Sequence, residues 1–332
     1  MAQRLKIRSR QPQQGIALLA VLWMVTLLFL LALLLSQSVQ IETRSATYRK
    51  EAAQAQAWAR GGVEAAILEI AYPRSEDEKA SPLWSWQRGQ REGVVAFNGG
   101  RVRLEIVNDS GRVDLNTAGE EQLTRLLVAR DVEPATAQAL TQAIIHWRSP
   151  AGVGAESAAL DEYYSSLPEP DRPRHAPLET VEEALRVRGM SREIFYGTAE
   201  VTKEGKIRRQ YGVGQDLTVF SRSAQINVNY ASAAALQSGP GVGPELAAAI
   251  LQERQRRPFR TVAEITQRLP VYLPDEALPF LTTNEADTYG IVAVGEAADS
   301  NVRRSLEAIV QVTPQQTGRY RILRWYEDYF GQ

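Results

Sequence analysis

Residues 16–35 read IALLAVLWMVTLLFLLALLL, a run without a charged residue whose single hydroxyl is Thr26. At about 1.5 Å of rise per residue, such a helix is about 30 Å long and matches a bilayer core. The pattern then changes. Residues 37–70 lack Pro, carry Gly only at 61 and 62, and are rich in Ala, Gln, Glu and Arg. Apolar positions at Ala53, Ala57, Val63, Ala66, Ile67 and Ile70 recur at helical spacing, so the helix is expected to continue as an amphipathic one. Gly61-Gly62 would bend it or let it pack closely, and Tyr72-Pro73 ends it. Beyond it, Arg101–Val107 alternates as a strand, Asn108–Gly111 reads as a turn and Arg112–Leu115 as a short return. The tail alternates again at Tyr289–Val294, Leu306–Thr313 and Tyr320–Trp325, with Gln315–Gly318 as a hairpin connection. Helical patterns between these two sets of strands predict an α+β fold with a helical insertion.

The insertion repeats itself. VDLNTAGEEQL (113–123) and INVNYASAAAL (226–236) share an apolar-x-apolar-Asn-x-Ala start and a Leu seven residues after the Asn. Asn116 and Asn229 read as turn formers or caps. The second copy continues as LQSGPGVGPELAAAILQER and resembles a helix-hairpin-helix unit with Gly239, Gly241 and Gly243 in the hairpin; in the first copy these glycines are absent. Such units often hold a DNA phosphate on hairpin amides. Phosphate binding wants cations around the loop, however, and residues 239–246 have none while Glu245 stands at the helix start. A packing role for the glycines is the stronger reading. Arg254, Arg256, Arg257 and Arg260 read as a solvated helix end.

Composition narrows the chemistry. There are 38 Lys and Arg against 39 Asp and Glu, for a net charge of −1, which implies no global nucleic-acid affinity. The absence of Cys removes disulfides, thiol nucleophiles and thiolate metal sites. The two histidines, His146 in AIIHW and His175 in a Pro-rich charged loop, form no catalytic spacing, and no Walker loop or His metal motif is present. Trp84 and Trp86 lie in a polar loop, Glu76–Gly93, and either pack on the core or touch a partner.

Before the apolar run stand Arg4, Lys6, Arg8 and Arg10, then Gln13-Gln14-Gly15. These cations place the N-terminus in the cytoplasm and the remainder across the membrane. A cleaved secretory signal and a plain signal anchor are the alternatives. A basic leader, a Gly and an uninterrupted apolar helix resemble the class III signal of type IV pilins and pseudopilins. That resemblance implies cleavage after Gly15 by a prepilin peptidase and N-methylation of Ile16. The family usually has Glu at the fifth mature position, which is Ala20 here.

Taken together with the linker GAESAALDEYYSSLPEPDRPRHAPLETVEEALRVRGM (154–190) and the restart INVNYAS, the chain resembles the K-type minor pseudopilins of type II secretion systems. The resemblance implies an α+β fold. It would combine a long N-terminal transmembrane and amphipathic helix, a pilin-like antiparallel sheet and a large inserted helical domain. That insertion would hold two SAM-like, helix-hairpin-helix-like subdomains. The expected divisions are a leader (1–15), a transmembrane helix (16–36), its periplasmic continuation (37–72) and a pilin-like β part (73–115). Two helical subdomains (116–205 and 206–285) and a C-terminal β part (286–332) follow.

The implied role is non-enzymatic: capping a pseudopilus tip and starting its assembly for export of folded proteins across the outer membrane. Implied partners are I- and J-type minor pseudopilins, the pseudopilus and inner-membrane secretion platform, the prepilin peptidase and membrane lipid, with no nucleic acid. The implied location is the inner membrane, single-pass. The family also implies calcium in the helical domain. Trp147 is followed here by Arg148-Ser149-Pro150 without a carboxylate, which leaves Glu156, Asp161 and Glu162 as candidate ligands, or as a solvated acidic loop. A membrane-tethered DNA receptor of the competence type and a type IV pilus minor pilin are the competing functions.

Overall fold

The computed structural model describes residues 14–72, 92–150, 155–167, 172–201, 207–269, 271–298, 301–313 and 319–327. The chain divides into two units, Met1–Gln54 and Ala55–Gln332. Helix α1 spans Gln14–Ala71. Within the first unit its residues 18–35 are exposed apolar side chains, and this is the one helix among the described residues long and apolar enough to cross a membrane. The lone hydroxyl of the apolar run is satisfied inside the helix, where Thr26 Oγ1 donates to the carbonyls of Leu22 or Trp23 at 3.1 and 2.9 Å. A hydroxyl paired in this way costs little in hydrocarbon.

In the second unit α1 lies on a five-stranded antiparallel sheet. Its strands are β1 (Glu92–Phe97), β2 (Gly100–Asn108), β9 (Thr288–Ala297), β10 (Arg303–Val312) and β11 (Tyr320–Glu327), in that spatial order. The helix buries Ala55, Ala59, Val63, Ala66, Ile67 and Ile70. Val63, Ala66 and Ile70 fix the phase of this stripe, and stepping back four residues at a time gives Ala59 and Ala55. The expected positions Ala53 and Ala57 fall about 200° away and are exposed. The sheet answers with Val102, Leu104, Ile106, Ile291, Ala293, Leu306, Ala308 and Val310. Gly62 serves close packing rather than a bend. A Cβ there would stand 2.6 Å from Val102 Cγ1, and one on Gly295 would stand 2.0 Å from the Ala55 carbonyl oxygen. Helix and sheet meet backbone to backbone at that point.

The turn expected after β2 leads elsewhere. The hairpin partner of β2 is β1, joined through Asn98-Gly99 with Gly99 at φ 83°. Residues 109–111 instead form a 3-10 helix, and β3 (Val113–Asp114) pairs in parallel with β6 (Leu217–Thr218). The chain therefore leaves the sheet at the end of β2 and returns at β9, its neighbour in the sheet. Asn108 fastens exit to return: its Nδ2 donates to the Ala286 carbonyl and its Oδ1 accepts from the Ala286 N–H, both at 2.8 Å. The Gln315–Gly318 connection and the Trp84–Trp86 loop lie outside the described residues.

The insertion holds α2 (Glu120–Val128), α3 (Pro134–Arg148), α4 (Ala155–Ser165), α5 (Arg192–Tyr196), α6 (Ala233–Gln237), α7 (Pro244–Arg256) and α8 (Val262–Arg268). Its remaining strands are β4 (Gly197–Val201), β5 (Ile207–Tyr211), β7 (Ile226–Asn227) and β8 (Leu281–Thr282). One core, including Leu123, Leu140, Trp147, Val213, Ile226, Leu236 and Ile250, runs through both halves. The division expected at 205/206 lies outside the described residues; on either side of it β4 pairs with β5, and β3, in the first copy of the repeat, pairs with β6.

Candidate functional site

The repeat goes deeper than its opening strings. Asp114 Oδ1 accepts from the Asn116 N–H at 2.7 Å, and Asn227 Oδ1 accepts from the Asn229 N–H at 3.0 Å, which makes an Asx-turn in each copy. Neither Asn116 nor Asn229 caps a helix. Each pairs its amide with a distant backbone, as a strand would. Asn116 bonds the Leu178 N–H and carbonyl at 2.8 and 3.0 Å; Asn229 bonds those of Phe259 at 2.8 and 2.9 Å. Leu178 and Phe259 open PLETVEEAL and PFRTVAEIT, whose Glu183 and Glu264 each reach back to a backbone N–H, of Glu179 and Arg260, at 3.1 Å. Arg148 donates to the carbonyls of Leu115 and Ala118, and Arg254 to those of Val228 and Ala231. Arg254 is thus an internal brace and not part of a solvated helix end. Arg256 and Arg257 stay exposed but pair with Glu253 and Glu264.

The hairpin before α7 is built for packing. Gly241 has φ 68°, a conformation side chains rarely adopt, and a Cβ there would meet Glu276 Oε1 at 2.7 Å and the Pro274 ring at 3.0 Å. The first copy solves the same turn with Asp131 at φ 62°. Gly239 and Gly243 lie in the hairpin but are not required by it. A Cβ on Gly239 would make ordinary contacts, and one on Gly243 would meet nothing within 4 Å. Glu245 occupies the first turn of α7, and the Glu276 carboxylate approaches Gly241. Two acids at the amides repel a phosphate.

Of the calcium candidates, Glu156 has its side chain outside the described residues, and Glu162 joins no metal-binding group among them. Asp161 faces two imidazoles, His146 Nε2 at 2.9 Å and His175 Nε2 at 3.3 Å. Calcium takes six to eight oxygen ligands, so this nitrogen-rich surrounding does not fit it. The sequence could not place His146 beside His175, because nothing in their spacing brings a helix end to a Pro-rich loop. Gly15 and Ile16 lie in the first turn of α1; the Ile16 side chain falls outside the described residues, while Ala20 is exposed.

Between the sheet and the insertion a cleft of about 690 Å³ is lined by Glu105, Glu307, Glu182, Arg112, Arg130 and Arg324, among others. Acids and arginines both line it, so the charge favours neither an anion nor a cation. Burial raises the Glu307 carboxyl against the pull of Arg112, and it raises nearby Asp109 from 3.8 to about 6.

Residues 103–198 match the family profile described as "Type II secretion system (T2SS), protein K". The chain carries a type II secretion system protein K domain. That domain runs from β2 through α2, α3, α4 and α5 to the start of β4 and stops short of β6. Residues 221–268, in the second copy, match the helix-hairpin-helix motif profile. A comparison with curated proteins gives no match. In fold, the chain is similar to one in the crystal structure of the GspK-GspI-GspJ complex from the type II secretion system of enterotoxigenic Escherichia coli. The TM-score is 0.54 at 14% identity, covering 86% of this chain and 99% of that one. The protein K domain and the apolar α1 fit a membrane-anchored secretion component.

Proposed function

We propose that the protein is a minor pseudopilin of a type II secretion system, anchored in the inner membrane with its N-terminus cytoplasmic and residues after 36 periplasmic. The observation that carries the reading is the protein K domain in an insertion between β2 and β9, behind a single apolar helix. Its work is packing, not catalysis. A peptidase cuts after Gly15, Ile16 is methylated, and α1 passes from lipid into a bundle of like helices.

Ala20 supports a place at the tip. In the pilin resemblance, an acid at the fifth mature position neutralises the N-terminal amine of a neighbouring subunit in an apolar surrounding. An unpaired carboxylate there costs several kcal/mol, about what a desolvated charge costs. A subunit with no neighbour above it has no amine to neutralise. The partners are I- and J-type minor pseudopilins, in keeping with the complex in which the structurally similar chain was crystallised. The hairpin, with Glu245 and Glu276 at its amides, gives a DNA receptor no support.

Co-purification tests the reading. The full chain in detergent should hold I- and J-type pseudopilins in a defined complex and show no salt-dependent DNA binding. A chain that binds DNA tightly and ignores both pseudopilins overturns it.

A further inference from the structure

We propose that His146, Asp161 and His175 form a binding site for one divalent transition-metal ion of the zinc class, which fastens α4 and the segment around His175 to the end of α3. One donor atom from each residue lies within 4.8 Å of the other two. The two imidazole Nε2 atoms stand 2.9 and 3.3 Å from the same Asp161 oxygen. Ligands bound at about 2.0–2.1 Å around a tetrahedral zinc lie about 3.3–3.4 Å apart, so both imidazole–carboxylate distances are already close to that spacing, and small side-chain rotations bring the third pair to it.

The surroundings prepare the donors. His175 Nδ1 lies 3.1 Å from the Ser149 carbonyl oxygen. Donating its proton there leaves the lone pair on Nε2, the nitrogen aimed at Asp161. A carbonyl on the far ring nitrogen is the usual way a ligating imidazole is oriented. The backbone of His175 is held in the left-handed region at φ 52°, and its N–H donates to the Trp147 carbonyl at 2.9 Å. The two rings meet edge to face with centroids 5.1 Å apart, and both Nε2 atoms face the same Asp161 oxygen. The side chains of His146 and His175 are 10% and 22% exposed and that of Asp161 is 42% exposed. The open side is the carboxylate's, which admits an ion and leaves room for a water as fourth ligand. Two imidazoles with one carboxylate suit zinc, cobalt, nickel or copper and not calcium.

The full chain, purified in detergent without a polyhistidine tag and stripped of metal, is titrated with zinc by calorimetry and with cobalt by visible absorption. The expected result is one ion per chain, a tetrahedral cobalt spectrum and a raised Tm. His146→Ala and His175→Ala should each weaken zinc binding by at least about tenfold, and calcium should not displace the ion. The proposal is overturned if the folded wild-type chain binds no zinc, if a folded His175→Ala variant binds it unchanged, or if calcium competes on equal terms. Should either variant fail to fold, the wild-type cobalt spectrum decides, because a site of water and carboxylates alone gives a weak octahedral spectrum.

Discussion

Single residues mark where local rules and tertiary demands diverge. Gly241 was legible as a hairpin glycine, and its φ of 68° beside Glu276 and Pro274 gives the reason. Gly241→Val should lower stability by about 1–3 kcal/mol, seen as a lower urea midpoint. Gly243 caps α7 without a side chain. Gly243→Ser, which supplies a capping hydroxyl, should raise stability by about 0.3 kcal/mol, seen as a slightly higher midpoint. A sequence with three glycines in five positions does not reveal that only one of them is needed.

Asp109 was not legible, since its burial depends on elements far along the chain. Its carboxyl titrates at about 6 in the folded protein against 3.8 as the ordinary value, so the folded state holds the proton more tightly. The stability this group adds is full below 3.8 and is lost as the pH rises to about 6, a change on the order of 3 kcal/mol. Thermal melts of Asp109→Asn across that range should lack the decline. A parallel decline in the variant would assign it to another group.

At the scale of elements, the long helix and the three C-terminal strands were legible because uninterrupted apolar or alternating patterns announce them. β1 was passed over although Asn98-Gly99 between apolar residues signals a hairpin. β3 falls within the short return read at Arg112–Leu115, but β6 and its parallel pairing with β3 were not foreseeable, because two-residue strands have no period to read. The repeat was visible in its Asn and Ala positions, yet its logic, an Asn side chain standing in for a strand, appears only when Leu178 and Phe259 come alongside. That logic predicts an order of effects. Asn229→Ala leaves two buried backbone groups of Phe259 unpaired and should cost about 2–4 kcal/mol. Asn116→Ala, at a more exposed pairing with Leu178, should cost less in the same denaturation series.

For the whole molecule, the architecture follows from one topological fact: the insertion departs from and returns to neighbouring central strands, closed by Asn108. An excursion of this kind adds a second body without breaking the sheet that α1 covers. The sequence outlined it as helical patterns between two sets of strands, but the zinc-class cluster needed three-dimensional placement of His146 and His175. Processing belongs to this scale too. Mass spectrometry of the membrane form should find an N-terminus at methylated Ile16, and a bulky replacement of Gly15 should block it; an intact Met1, or a start after the apolar run, contradicts it. The most direct test of the assembly role is site-specific crosslinking along assembled pseudopili. The account predicts this chain once, at one end, bound to I- and J-type subunits. Its recovery at repeated positions through the shaft would contradict the tip assignment.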